Sequence, residues 1–167
     1  MEKYILKAIN GDKDAFTFLF LSLQTKLYNI AFGRLKNESD ALDAIQETII
    51  ITYNNLKDLK KSESFDSWVI SILINECNKI YNKKNKVEYV DILNYQNEFY
   101  IDGSENDNLF FEDLICSLTE KEKIIMILYY KNDYSIREIS KTLEIKNNTV
   151  KSIIKRAKEK IKLKLKE

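Results

Sequence analysis

Asn147, Asn148, Thr149, Lys151, Ser152, Lys155 and Arg156 fall within one ten-residue run, and Val150, Ile154 and Ala157 are interleaved with or follow them. On a helix this spacing gathers the apolar residues on one side and leaves amides, hydroxyls and cations on the other. Such a face suits duplex DNA. The apolar side holds the helix on its neighbour, while short polar groups meet base edges and cations meet phosphates. The open N–H groups at a helix start also favour a phosphate. The rival reading is an antiparallel helix pair whose lysine face is merely solvated. Enzymatic chemistry finds little support. There is no His, which removes Ser-His and Cys-His catalysis and His-ligated metals. Cys77 and Cys116 are not a CxxC pair and are too few for a tetrathiolate site. Both read as buried free thiols of a reducing compartment. No P-loop, GxGxxG or clustered carboxylate pair is present. The expectation is a non-enzyme with no catalytic residues, no metal and no cofactor.

The elements that must position this face are helices. The chain of 167 residues has no Pro and three Gly, so the usual chain breakers are nearly absent. Ser135–Leu143 reads as a short helix, Glu144–Asn147 as a tight turn, and 148–166 as a second helix that Asn147 can cap. Ile139, Leu143, Ile145, Val150, Ile154 and Ala157 can close one core between the two. Glu144 stands where a turn often uses a left-handed residue, which costs a non-glycine about 1 kcal/mol. Ser135 with Glu138 and Thr119 with Glu122 fit capping boxes, the latter opening a helix over about 120–131. Upstream, the spacing predicts helices over 2–10, 14–36, 40–56 and 64–85. The third places Ala41, Ala44, Ile45, Thr48 and Tyr53 near one face and Asp43, Gln46 and Glu47 on the other. The fourth has Phe65, Trp68, Val69, Ile72, Leu73 and Ile80 as its apolar set. Residues 57–64 read as a polar loop.

Charge divides the chain further. Residues 87–113 hold eight acidic and no basic side chains, whereas residues 114–167 hold 14 basic and seven acidic ones, although the whole chain is at +1. A basic end points to a polyanion partner and the acidic middle to a linker. The expected architecture is all-α. It comprises a helical domain at 1–86, an acidic linker at 87–112 and a helix-turn-helix domain at 113–167. Neither a signal-peptide core nor a bilayer-length apolar run is seen, so a cytoplasmic location is expected.

Three segments carry a resemblance. Residues 114–165 resemble the −35-reading domain of bacterial sigma-70-family factors. Asp40-Ala-Leu-Asp-Ala-Ile-Gln-Glu-Thr48 resembles that family's polymerase-binding helix. Ser64-Phe-Asp-Ser-Trp-Val-Ile-Ser-Ile-Leu-Ile-Asn75 resembles its −10-reading segment. Their order and spacing fit the extracytoplasmic-function (ECF) group. The resemblance implies a transcription initiation factor whose partners are core RNA polymerase, through its β′ clamp helices and β flap, and promoter DNA. An anti-sigma factor is a further possible partner in this group. Asp40, Asp43, Gln46 and Glu47 would dock on polymerase. Ser64, Phe65, Trp68, Asn75, Lys79, Lys83 and Lys84 would meet the −10 element, with core packing as the competing role for the two aromatics. Residues 147–156 would read −35 duplex. Leu42, Ser71 and Ile153 depart from residues frequent in the family, and the latter two remove possible Arg contacts to DNA. The competing function is a free-standing helix-turn-helix regulator, for which no dimerisation heptad is evident.

Overall fold

The computed structural model describes residues 1–59, 61–87, 111 and 113–165. The acidic stretch expected as a linker therefore lies almost wholly outside the described residues. Among those described, all regular structure is helical.

Helix α1 (Glu2–Ile9) turns Ile5 and Ala8 inward. Helix α2 (Lys13–Leu35) starts at Asp12, whose carboxylate accepts the Ala15 N–H at 2.9 Å, and ends on Lys36 in the left-handed region. It buries Ala15, Phe16, Leu19, Phe20, Leu23, Leu27, Ile30 and Ala31, while Thr17, Phe18, Leu21, Ser22, Gln24 and Thr25 face water. α1 and two further helices pack on it. The first of these, α3 (Glu38–Asn55), begins two residues before the expected start. The Asn37 side chain accepts the Asp40 N–H there at 2.9 Å and caps the helix. Its inward stripe is Ala41, Ala44, Thr48 and Thr52. Tyr53, expected near this face, is instead 47% exposed. Thr52 continues the four-residue register from Thr48, and Tyr53 sits about 100° further round, edge-on to Phe16 at 5.0 Å. Two short 3-10 turns, Leu56–Asp58 and Ser62–Ser64, lead into α4 (Phe65–Val87). α4 packs on α2 and α3.

After a helical stretch at residues 113–115, helix α5 (Glu120–Met126) is opened by the Thr119–Glu122 capping box. The single helix expected over 120–131 is not uniform. It widens into a π turn at Ile127–Lys131, where the Asn132 N–H reaches the Ile127 carbonyl at 3.2 Å. Helix α6 (Ile136–Thr142) opens on the Ser135–Glu138 box, as its sequence requires. Glu144 takes φ 52° in the turn. Helix α7 (Asn147–Lys164) follows. Asn147 does not cap it. The cap is Lys146, whose carbonyl accepts the Thr149 and Val150 N–H groups, and no side chain caps the first turn. The buried apolar residues form one cluster running from Ile5 to Ala157, so the core spans both halves. No helix among the described residues is long and apolar enough to cross a membrane.

Candidate nucleic-acid interface

The face expected to read DNA is built by a four-residue apolar stripe. Val150, Ile153, Ile154 and Ala157 are all buried. Ile153 therefore belongs to the core; at this register an Arg would point inward. Asn147, Asn148, Lys151, Ser152, Lys155 and Arg156 are exposed, and Thr149 is half-buried. The Ser152 hydroxyl donates to the Asn148 carbonyl at 2.8 Å, leaving its oxygen free to accept. Arg137 and Lys141 of α6 are also exposed. Their i,i+4 spacing could have been read from the sequence as a second cationic stripe.

Two polar ties fix α7. The Lys160 ammonium contacts both Glu122 oxygens, at 2.9 and 2.8 Å. The same carboxylate closes the capping box on Thr119. Burial raises the Glu122 carboxyl, but Lys160 and Thr119 together outweigh it and hold it below its ordinary value. Glu138 is lowered in turn, mainly by its bonds to Ser135. Further along α7, Lys158 lies 5.4 Å over the Tyr130 ring, and its bond to Tyr130 raises its pKa.

The residues expected at a −10 element are only partly brought together. Asn75, Lys79 and Lys83 are exposed on α4. Ser64 and Trp68 are half-buried, and the Ser64 hydroxyl donates to the Lys61 carbonyl at 2.8 Å. Phe65 is 1% exposed and packs against Phe20 and Trp68. Its ring fills the core and is not available to stack on a base, which corrects its assignment to DNA. Lys79 neutralises the buried Glu76 at 2.7 Å. Lys84 pairs with Asp40 at 2.5 Å, so two residues assigned to different partners hold α4 on α3.

Asp40, expected to dock on polymerase, is thereby tied within the chain, its side chain only 15% exposed. Asp43, Gln46 and Glu47 are exposed on α3. Leu42, Ile50 and Tyr53 are exposed beside them. These apolar neighbours were missed because hydrophobic residues at helical spacing read first as core; the 43, 46, 50, 53 stripe was the available signal.

The cysteines diverge. Cys77 is buried, and desolvation raises its thiol to about 12. Cys116, also expected to be buried, is exposed, with the Lys164 ammonium 2.9 Å from its sulfur.

Comparison with known proteins shows the family of the chain. Residues 19–87 match the model of sigma-70 region 2, and residues 111–161 match that of sigma-70 region 4. The chain is 30% identical over 141 residues to the RNA polymerase sigma factor SigV of Bacillus subtilis, covering 83% of each chain. It is 25% identical to the ECF sigma factor SigW of the same organism, over 100% of this chain and 97% of that one. Among solved structures, CnrH in complex with the cytosolic domain of CnrY aligns over 99% of this chain and 96% of its own, with a TM-score of 0.78 at 18% identity. The sigma factor RpoE of Bartonella quintana, bound to the anti-sigma factor NepR, aligns over 90% of this chain and 96% of its own at 0.76 and 19%. The chain belongs to the sigma-70 family, in its ECF group, and is a non-enzymatic initiation factor that directs RNA polymerase to promoters.

Proposed function

We propose a division of labour among three surfaces. Asp43, Gln46 and Glu47 of α3, with the exposed Leu42, Ile50 and Tyr53, dock on core polymerase at its β′ clamp helices. Asn75, Lys79 and Lys83 of α4, with the half-buried Ser64 and Trp68, engage the melted −10 element. Asn147–Arg156 of α7 reads −35 duplex, with Arg137 and Lys141 of α6 as added phosphate contacts. The observation that carries this reading is the contrast between faces. α3 shows acids and amides beside exposed apolar groups, whereas α7 shows amides and cations beside a fully turned-in apolar stripe. An Asn amide both donates and accepts, so Asn75 and Asn148 suit base edges.

The chain acts in the cytoplasm, where polymerase is. An anti-sigma factor is proposed as a further partner, supported by the fold shared with RpoE, which was solved with one. The domain limits 1–86 and 113–167 are proposed as the polymerase/−10 unit and the −35 unit, since the region 2 and region 4 matches fall within about these limits.

Reconstituted transcription tests the reading. Purified chain, sigma-free core and fragmented DNA from the source genome should yield RNA 5′ ends sharing an upstream element. Lys155→Ala and Asn75→Ala should each change which starts appear. A chain that shifts duplex DNA alone, yet neither binds core nor yields starts, would be a free-standing regulator instead.

A further inference from the structure

Helix α2 carries apolar residues on two opposite sides. Phe16, Leu19, Leu23, Leu27 and Ile30 point into the core. Phe18, Leu21, Tyr28 and Phe32 fall on the far side, with Thr25 between them. At about 100° per residue, these five lie within an arc of about 80°. Their spacing of three, four, three and four is that of an a/d seam, along which one helix packs on another. The core residues are interleaved with this set, so the sequence shows no plain heptad, and packing separates the two stripes.

The outer stripe faces water at one end and is half-buried at the other. Leu21 is 63% exposed and Phe18 45%. Phe18 stacks at 4.3 Å on Tyr4 of α1, which is itself exposed, and Tyr28 stacks at 5.6 Å on Phe32, both half-buried. From Phe18 to Phe32 the stripe runs about 21 Å at 1.5 Å per residue. Its margins hold no charge. Thr17, Ser22 and Gln24 are exposed and uncharged. Lys26 is the one charged residue between Asp14 and Arg34, and it turns to the core-side flank, toward Asp66 at 4.0 Å and the Tyr134 ring. In a chain with 32% charged residues, an uncharged and aromatic helix face has the make-up of an interface core.

Charge enters at the two ends. Asp14 lies in the first turn of α2, and Lys36 caps the last, its ammonium 6.0 Å from the centre of the Phe32 ring. Both residues are exposed. The arrangement is symmetrical about Thr25. Asp14 and Lys36 stand eleven residues to either side of it, and Phe18 and Phe32 seven. A second α2 laid antiparallel on the first, with a two-fold axis at Thr25, sets Asp14 against Lys36 at both ends. It also sets Phe18 against Phe32 and Leu21 beside Tyr28. A parallel pair would set Asp14 on Asp14 and Lys36 on Lys36, and like charges repel. The helix dipoles favour the antiparallel pair as well.

We propose that two copies of this chain associate through the outer face of α2, antiparallel, with Thr25 on the axis and Asp14–Lys36 pairs closing both ends. Such a contact uses the same patch on each copy, so it closes at a dimer. The stripe is small beside the roughly 20–30 residues a side of a lasting interface, so the dimer forms and parts with concentration. The proposal does not rest on the promoter reading, because α2 holds none of the residues assigned to polymerase or DNA.

Sedimentation velocity of the full chain tests it. Raising the concentration from low micromolar to several hundred micromolar should move the parent from 19.7 kDa toward twice that mass. Leu21→Arg, at a well-exposed position, should weaken self-association by about tenfold or more, since it sets a charge in each apolar seam. Circular dichroism should show that this variant keeps its helix content. Asp14→Lys and Lys36→Asp should each weaken the dimer several-fold by setting like charges together, and the two changes combined should restore it. A parent that stays monomeric throughout, or a Leu21→Arg chain that dimerises as well as the parent, overturns the proposal. A dimer that the combined charge exchange fails to restore overturns the antiparallel pairing. A monomeric parent whose binding to core polymerase falls with Leu21→Arg would assign the stripe to another protein and overturn the second copy as its occupant.

Discussion

The exposed faces of α3 and α7 use the same helical spacing for opposite ends. On α3, Asp43, Gln46 and Glu47 stand beside Leu42, Ile50 and Tyr53, which are left in water. On α7, Asn147 to Arg156 presents amides, hydroxyls and cations, and every apolar residue of that run is turned inward. A protein partner can bury apolar groups, so leaving them out adds binding energy. A phosphate backbone offers them nothing, and its affinity comes from cations that release counterions. The difference shows why charge alone is a poor guide to a surface. What separates the two is where the apolar neighbours of the charges go.

The sharpest way to break this contrast is to reverse the charge on α3. Asp43→Arg with Glu47→Arg should weaken core binding by about a hundredfold, since like charges set against each other cost several kcal/mol. Fluorescence anisotropy against labelled core would measure it, and binding to −35 duplex should be untouched. On α7, Lys151→Ala and Lys155→Ala should do the converse. Each should lower duplex affinity and reduce the slope of log K against log salt by about 1, leaving core binding as it was. If Lys155→Ala weakened core binding instead, the assignment of the two faces would fail.

Acid should then distinguish the helices that support them. Glu122 and Glu138 have carboxyl pKa values below the ordinary 4.5 in the folded chain. Their stabilisation is therefore full above that value and is lost as pH falls through the depressed folded values. The helices around α7 should lose structure on acidification before α1–α4 do, as followed by amide chemical shifts. Glu122→Gln with Glu138→Gln should flatten that acid dependence. The smallest expected effect is a gain. Glu144→Gly relieves a left-handed non-glycine residue in the turn before α7 and should stabilise the chain by about 1 kcal/mol, with a thermal midpoint higher by roughly 2–4 °C.

Much of this was legible in the residues because it is local. Both capping boxes, the turn at Glu144 and its left-handed backbone, and the polar face of α7 depend on neighbours within about one or two helical turns. So did the sigma-70 segments, which keep their order and residue types along the chain. Other features needed the third dimension. Phe65 and Asn75 both lie on α4, yet only packing against Phe20 decides that one is core and the other is free. Tyr53 and Cys116 sit in apolar surroundings along the chain but are exposed. Asp40 and Lys84 are 44 residues apart and find each other rather than two external partners. Gly33 carries no sign along the chain that a Cβ there would overlap Ile127 of the π turn. Periodicity determines which side of a helix is apolar, because that follows from 3.6 residues per turn. It does not determine which neighbour covers that side or how completely. That depends on how close the helices approach and on where the chain returns, and only the tertiary structure decides those.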